Sequence, residues 1–234
     1  MRIAMMVLRK LYLVPLLYIR LQRAAKRYAG DYTKGFLATR DIAKNGIEAG
    51  NVTLEVEGIE NVPQEDGFIY YPNHQGMFDI MALMYSSPRP FAFVYKKEVK
   101  NVFFLRQVIR ATGSLDMDRS DIKQSLKVIN QVAQEVKEGR NYLIFAEGTR
   151  SRKGNELLEF KGGSFKAAQK AKCPIVPCAL VNSFVPFDEN SIRQTTVKLI
   201  YLPPLYYEEY KEMKTNEIAS EVKNRIQAAV QSHL

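Results

Sequence analysis

The chain has 234 residues, 46% of them hydrophobic, which suits one large domain, or one domain with a modest extension, and argues against global disorder. Thirty-four Lys and Arg face 25 Asp and Glu, and the resulting +9 calls for an anionic partner without saying which. Two cysteines, Cys173 and Cys178, are too few for a disulfide framework and fit a reducing, cytosolic setting. With one internal histidine, His74, and a second at position 233 near the end, a usual zinc ligand set has too few members.

The first thirty residues carry seven basic side chains (Arg2, Arg9, Lys10, Arg20, Arg23, Lys26 and Arg27) and no acid. Their longest uncharged run, Leu11 to Ile19, has nine residues and contains Pro15, against the ~20 needed to span a bilayer. On an ideal helix Arg2, Arg9, Arg20, Arg23 and Arg27 fall within roughly 60° of one another, and the rest of the surface is largely apolar. That pattern predicts a helix lying in a membrane interface, apolar side down and arginines toward anionic head groups. The alternative is a helix packed on its own domain with a solvated basic edge. A second short helix is expected over Phe36 to Asn45, ended by Gly46 and Gly50. Residues 1–49 thus read as an N-terminal helical membrane-association segment, and residues 50–234 as the main domain.

From Asn51 the texture alternates. Strands are expected at Val52 to Val56, Phe68 to Tyr71, Phe91 to Tyr95, Ser114 to Met117, Tyr142 to Ala146, Ile175 to Val181 and Val197 to Leu202, the last closing the sheet. Helices are expected at Phe78 to Tyr85, Glu98 to Ala111, Asp121 to Glu138, Ser164 to Ala171 and Asn216 to Ser232. In the third of these, Ile122, Leu126, Ile129, Val132, Ala133 and Val136 share one side. The fold class is α/β, with a mostly parallel or mixed central sheet covered by helices and an N-terminal helical hairpin before it.

In such sheets, sites gather where strands lead into loops. The segment Asn73-His74-Gln75-Gly76-Met77-Phe78-Asp79 sets a histidine and an aspartate five apart. They meet only if His74 lies in a turn and Asp79 in the first helical turn; the carboxylate then holds one ring nitrogen and leaves the other basic. Alternatively, the histidine caps a helix or is satisfied in the core. Glu147-Gly148-Thr149-Arg150-Ser151 joins a glycine turn to hydroxyls and a guanidinium, groups that suit phosphate; the alternative is a polar loop with a surface ion pair. Lys161 adds a cation just before a helix start. No Walker loop and no G-x-S-x-G elbow is present.

Four ordered blocks carry a resemblance: His74 to Asp79, Gly113-Ser114-Leu115-Asp116-Met117-Asp118-Arg119, Phe145-Ala146-Glu147-Gly148-Thr149-Arg150-Ser151, and Ile175-Val176-Pro177. In order and spacing they resemble the glycerolipid acyltransferases, most nearly the bacterial 1-acylglycerol-3-phosphate acyltransferases, over about Val52 to Leu205. The resemblance implies that His74 is a general base oriented by Asp79. It assigns the substrate phosphate to Arg150, Lys97 (with Lys96 adjacent) and Arg119, with Asn73, Glu147, Gly148, Thr149 and Lys161 in support. It further implies acyl transfer from acyl-CoA or acyl carrier protein to the sn-2 hydroxyl of lysophosphatidic acid, peripheral to or monotopic in the cytoplasmic face of the cell membrane. No cofactor, metal or nucleic acid is expected. Gly76 stands where the family usually has Ser, and Ala146 where it has Pro. The rival readings are a same-family acyltransferase acting on glycerol 3-phosphate or another lysolipid, and a non-catalytic module binding anionic lipid or nucleic acid.

Overall fold

The computed structural model describes residues 1–27 and 31–234; the side chains at 103 and 104 and the last three of the N-terminal thirty residues lie outside the description. Helices α1 (Arg2–Arg9), α2 (Val14–Arg27) and α3 (Tyr32–Ala49) precede strand β1 (Val52–Glu57) and β2 (Ile69–Pro72). Then follow α4 (Phe78–Ser86), β3 (Ala92–Lys96), α5 (Phe103–Thr112), β4 (Leu115–Met117), α6 (Ile122–Lys137) and β5 (Tyr142–Leu143). The chain continues through α7 (Lys166–Ala171), β6 (Ile175–Val181), α8 (Val185–Asp188), β7 (Thr195–Tyr201), α9 (Tyr207–Tyr210) and α10 (Thr215–Ser232).

The strands form one seven-stranded sheet in the order β1-β7-β6-β2-β5-β3-β4. Pairings from β6 to β4 are parallel, β7 runs antiparallel to β6, and β1 is parallel to β7. The expected α/β class with a mixed, helix-covered sheet is what the chain adopts. The last strand does not close the sheet, however: β7 is interior, because β6 returns directly into it and β1 takes the edge. Alternation of side chains divides the core in two. Tyr70 joins Phe36, Phe68, Phe78, Phe91 and Leu199 on the face under α3, α4 and α5. Ile69 and Tyr71 join Val132, Phe165, Val222 and Ile226 on the face under α6, α7 and α10.

The N-terminal segment departs from the expected single stripe. The chain breaks at Lys10–Leu13, ahead of Pro15, so the five arginines do not share one helix. Arg2 is buried, and its guanidinium donates to the carbonyls of Gly50 at 2.6 Å and Arg193 at 2.8 Å. Arg9 donates to the Ala49 carbonyl and the Asn51 side chain, and Arg20 pairs with Asp41 at 2.8 Å. These arginines therefore tie the segment to its own domain. Met1, Ile3, Val7, Leu8, Leu11, Tyr12, Leu16 and Ile19 face outward, as do Arg23, Lys26 and Arg27 at the end of α2. Helix α3 runs past both ends expected for it. Gly46 lies inside it, where an added Cβ would stand 2.7 Å from Met81 Cε, so this glycine permits helix contact rather than ending a helix. In α6 the buried stripe begins at Val128, and Ile122 and Leu126 are exposed.

Candidate active site

The carboxyl ends of the parallel strands carry the loops that matter. Strand β2 feeds His74, β3 feeds Lys97, β4 feeds Arg119, β5 feeds Glu147 to Arg150, and β6 feeds Ser183. Residues from all over the sequence are thereby gathered at one end of the sheet.

Gln75 and Gly76 turn the chain so that Asp79 falls in the first turn of α4. His74 Nδ1 then lies 2.7 Å from Asp79 Oδ2. Asp79 is fully buried and also accepts from the amides of Gln75 at 2.8 Å and Gly76 at 3.1 Å and from Ser183 Oγ at 2.6 Å. With a carboxylate oxygen as its partner, Nδ1 is the nitrogen that carries the proton, which leaves Nε2 as the basic one. The imidazole stacks on Phe145, with ring centres 3.8 Å apart and planes at 19°. Its face is thus fixed by one residue and its edge by another.

Glu147 is buried and acts as a brace. One oxygen accepts from the His74 amide at 2.7 Å and the other from the Leu158 amide at 3.0 Å. Burial pushes its carboxyl up to about 7, against the pull of those two amides. Asn73, also buried, pairs with both the carbonyl and the amide of Leu180, fastening the histidine loop to β6. Gln75 does the same from the other side, donating to the Leu180 carbonyl and accepting from the Ser183 amide at 2.7 Å.

Gly148 takes a positive φ of 79°. A Cβ there would sit 3.2 Å from Lys161 Nζ and 3.5 Å from Arg119 Nη1, so two cations from different loops converge on this turn. Thr149 is exposed beside them. Arg150 reaches Asp188 of α8 at 3.5 Å, and Asp188 in turn lies against Gly76. Lys97 is 2.5 Å from Asp118, the residue before Arg119, and that ammonium holds the Asp118 carboxyl down at about 2. Lys96 turns to Glu98 instead. The structure thus brings His74, Asp79, Asn73 and Glu147 together and joins Arg119, Lys161 and Gly148, while Lys97 and Arg150 each engage an acid.

Sequence reading missed Gln75, Phe145 and Ser183. Ser183 lies 104 positions beyond its partner Asp79, and no local spacing announces that contact. Its hydroxyl also bears on the departure at Gly76, whose added Cβ would meet Phe184 Cα at 3.2 Å and the Ser183 carbonyl at 3.3 Å. The turn that supplies the serine hydroxyl fills the space a side chain at 76 would need. No cluster of three or more His, Cys, Asp or Glu among the described residues is placed to hold a metal ion.

Comparison with known proteins shows the family and the fold. The family model described as Acyltransferase matches residues 53–181. A 1-acyl-sn-glycerol-3-phosphate acyltransferase of Borreliella burgdorferi is 29% identical over 171 residues, 73% of this chain and 68% of that protein. The protein of that name in Salmonella typhimurium is 33% identical over 153 residues, 65% of this chain and 62% of that one. Aligned stretches thus span about two thirds of these relatives' length. The crystal structure of the 1-acyl-sn-glycerophosphate (LPA) acyltransferase from Thermotoga maritima superposes with a TM-score of 0.73 over 97% of both chains, at 20% identity, and shows the same fold.

Proposed function

The chain belongs to the acyltransferase family, and from that premise we propose that it acylates the sn-2 hydroxyl of lysophosphatidic acid at a membrane surface, giving phosphatidic acid. His74 Nε2 takes the proton of the acceptor hydroxyl as its oxygen bonds to the carbonyl carbon of an acyl thioester. The carbon–sulfur bond then breaks, and the leaving thiolate receives that proton. An alcohol is barely ionised at neutral pH, so a positioned base supplies a typical ~10²–10⁴-fold. Asp79 keeps the imidazole in the required tautomer and orientation. Arg119, Lys161, Arg150 and Lys97 receive the phosphate, the last two by exchanging Asp188 and Asp118 for the ligand, and so fix the hydroxyl against His74. A backbone N–H stabilises the oxyanion.

The observation that carries this reading is the 2.7 Å His74–Asp79 pair standing at the same end of the sheet as the Gly148 turn, on which Arg119 and Lys161 converge. The membrane part rests on the outward apolar residues of α1 and α2, since no helix among the described residues is long and apolar enough to cross a bilayer. A lipid acceptor and a fatty acyl chain, both of which partition into a bilayer, give such a surface a use. The test is purified protein with lysophosphatidic acid and an acyl thioester, followed by mass spectrometry, with parallel arms for glycerol 3-phosphate and for acyl-CoA against acyl carrier protein. Phosphatidic acid from one donor supports the proposal and names the donor. Product from glycerol 3-phosphate alone, or from no arm, overturns it.

A further inference from the structure

Helical periodicity places Ile122 and Leu126 on the buried stripe of α6, yet Ile122 is 83% exposed and Leu126 47%. Asp121 caps the helix by accepting from the Gln124 amide, so these residues stand on an ordered first two turns. Arg119, Lys123 and Lys127, four apart, are exposed around them, and Asp121 is the one acid between 119 and 130. Two large apolar side chains set among three cations form an interfacial surface in miniature.

Its position gives it meaning. Helix α6 starts where β4 ends, at one edge of the sheet and at the carboxyl end of the parallel strands. At the opposite edge, Arg2 pins α1 to Gly50 and Arg193, beside the starts of β1 and β7. Because β7 runs against β6, those starts lie at the same end of the sheet as His74. Seven strands set the two edges about 30 Å apart. The apolar corner of α1 and the start of α6 thus lie at the same end of the sheet, on either side of the catalytic loops.

We propose that the first two turns of α6 are a second contact with an anionic lipid surface, so that the bilayer touches the protein on both sides of the catalytic loops. The inference rests on the membrane reading above and extends it from the N-terminal segment to the far edge of the sheet. A lipid acceptor then enters between two supports, its head group level with Arg119 and its chain in the bilayer. Charge complementarity and the shared end of the sheet favour a lipid surface over an acidic protein or a second copy.

The chain contains no tryptophan, so Ile122→Trp in the full-length protein is a lone fluorescent reporter at an exposed site. With vesicles of phosphatidylcholine and phosphatidylglycerol, its emission should move to shorter wavelength and be quenched by brominated acyl chains. The double variant Ile122→Asp, Leu126→Asp should bind these vesicles on the order of tenfold more weakly and keep its rate on a short-chain, soluble acceptor. Sedimentation with vesicles while the tryptophan stays water-like overturns the inference and leaves the membrane reading standing. Absence of sedimentation in wild type and variants alike overturns both. Emission already shifted without vesicles, and reverting on dilution, assigns the patch to a second copy and overturns the lipid contact.

Discussion

Asp79 is a helix-start carboxylate with four donors: His74 Nδ1, the amides of Gln75 and Gly76, and Ser183 Oγ. On the proposed mechanism, His74→Ala should abolish turnover with the fold intact, and a tenth of the activity retained would end its assignment as the base. Asp79→Asn should lower kcat by roughly 10²–10⁴ with KM little changed, because orientation and tautomer are lost rather than binding. Ser183→Ala removes one donor of the four and should cost about 1.5 kcal/mol, near tenfold in kcat. Ser183→Thr, which keeps the hydroxyl, should restore most of it; equal loss in both variants would mark a packing role. Glu147 gives a pH signature. Its carboxyl is pushed up to about 7 by burial, so between the ordinary value of about 4.5 and 7 the native state binds more protons than the unfolded chain. Stability conferred by Glu147 must therefore fall as pH rises through that window, by at most about 3 kcal/mol. Urea unfolding of wild type beside Glu147→Gln, from about pH 4 to about pH 8, should show the wild-type advantage shrinking. A difference that does not vary with pH would place the titration elsewhere.

Among the elements, α1 and α2 differ in what they bury. Leu21, Ala24 and Ala25 of α2 are core residues, packed with Val108 and Ile109 of α5. Removing the whole N-terminal segment would therefore open the core, and point changes in the outward residues are the cleaner probe. Leu8, Leu11 and Tyr12 are 70%, 58% and 76% exposed. Replacing all three with Asp should leave the melting temperature nearly unchanged, release the protein from anionic vesicles, and spare turnover of a soluble acceptor. Unchanged sedimentation would move the membrane contact away from this corner. Arg2 is the tether that aims the corner: it is 2% exposed, and the carbonyls it serves belong to the turns before β1 and β7. Arg2→Ala leaves the buried Gly50 carbonyl unpaired and strips the Arg193 carbonyl of its donor, and should cost about 1–3 kcal/mol in chemical denaturation. Its activity should fall on vesicle-embedded acceptor far more than on a soluble one.

At the scale of the molecule, a +9 chain exposes apolar side chains at both edges of one end of its sheet. On the membrane reading, raising salt should weaken vesicle binding only in part, since screening acts on the cations and leaves burial of apolar groups untouched. Complete release by salt would show that charge alone holds the protein there. Much of this organisation is local and was legible in the chain. The unbroken apolar run Ile175 to Val181 marks β6 to the residue because both faces of that strand are buried, and the pattern after Asn216 marks α10 because burial of one helix face imposes its period. The order of the H-x-x-x-x-D and E-G-T-R blocks points to His74, Asp79 and Glu147, which follow β2 and β5 closely along the chain. Distant partners were not legible. Ser183 reaches Asp79, and Leu180 holds Asn73, only because β6 lies beside β2, and sheet order follows from packing rather than from neighbouring residues. Nor could sequence say which way a mixed surface turns. Arg2 of α1 points inward because turn carbonyls lie within its reach, and Ile122 and Leu126 point outward because the sheet ends at β4 beneath them. Periodicity specifies that a helix has two faces; only its neighbours in space decide which one is covered.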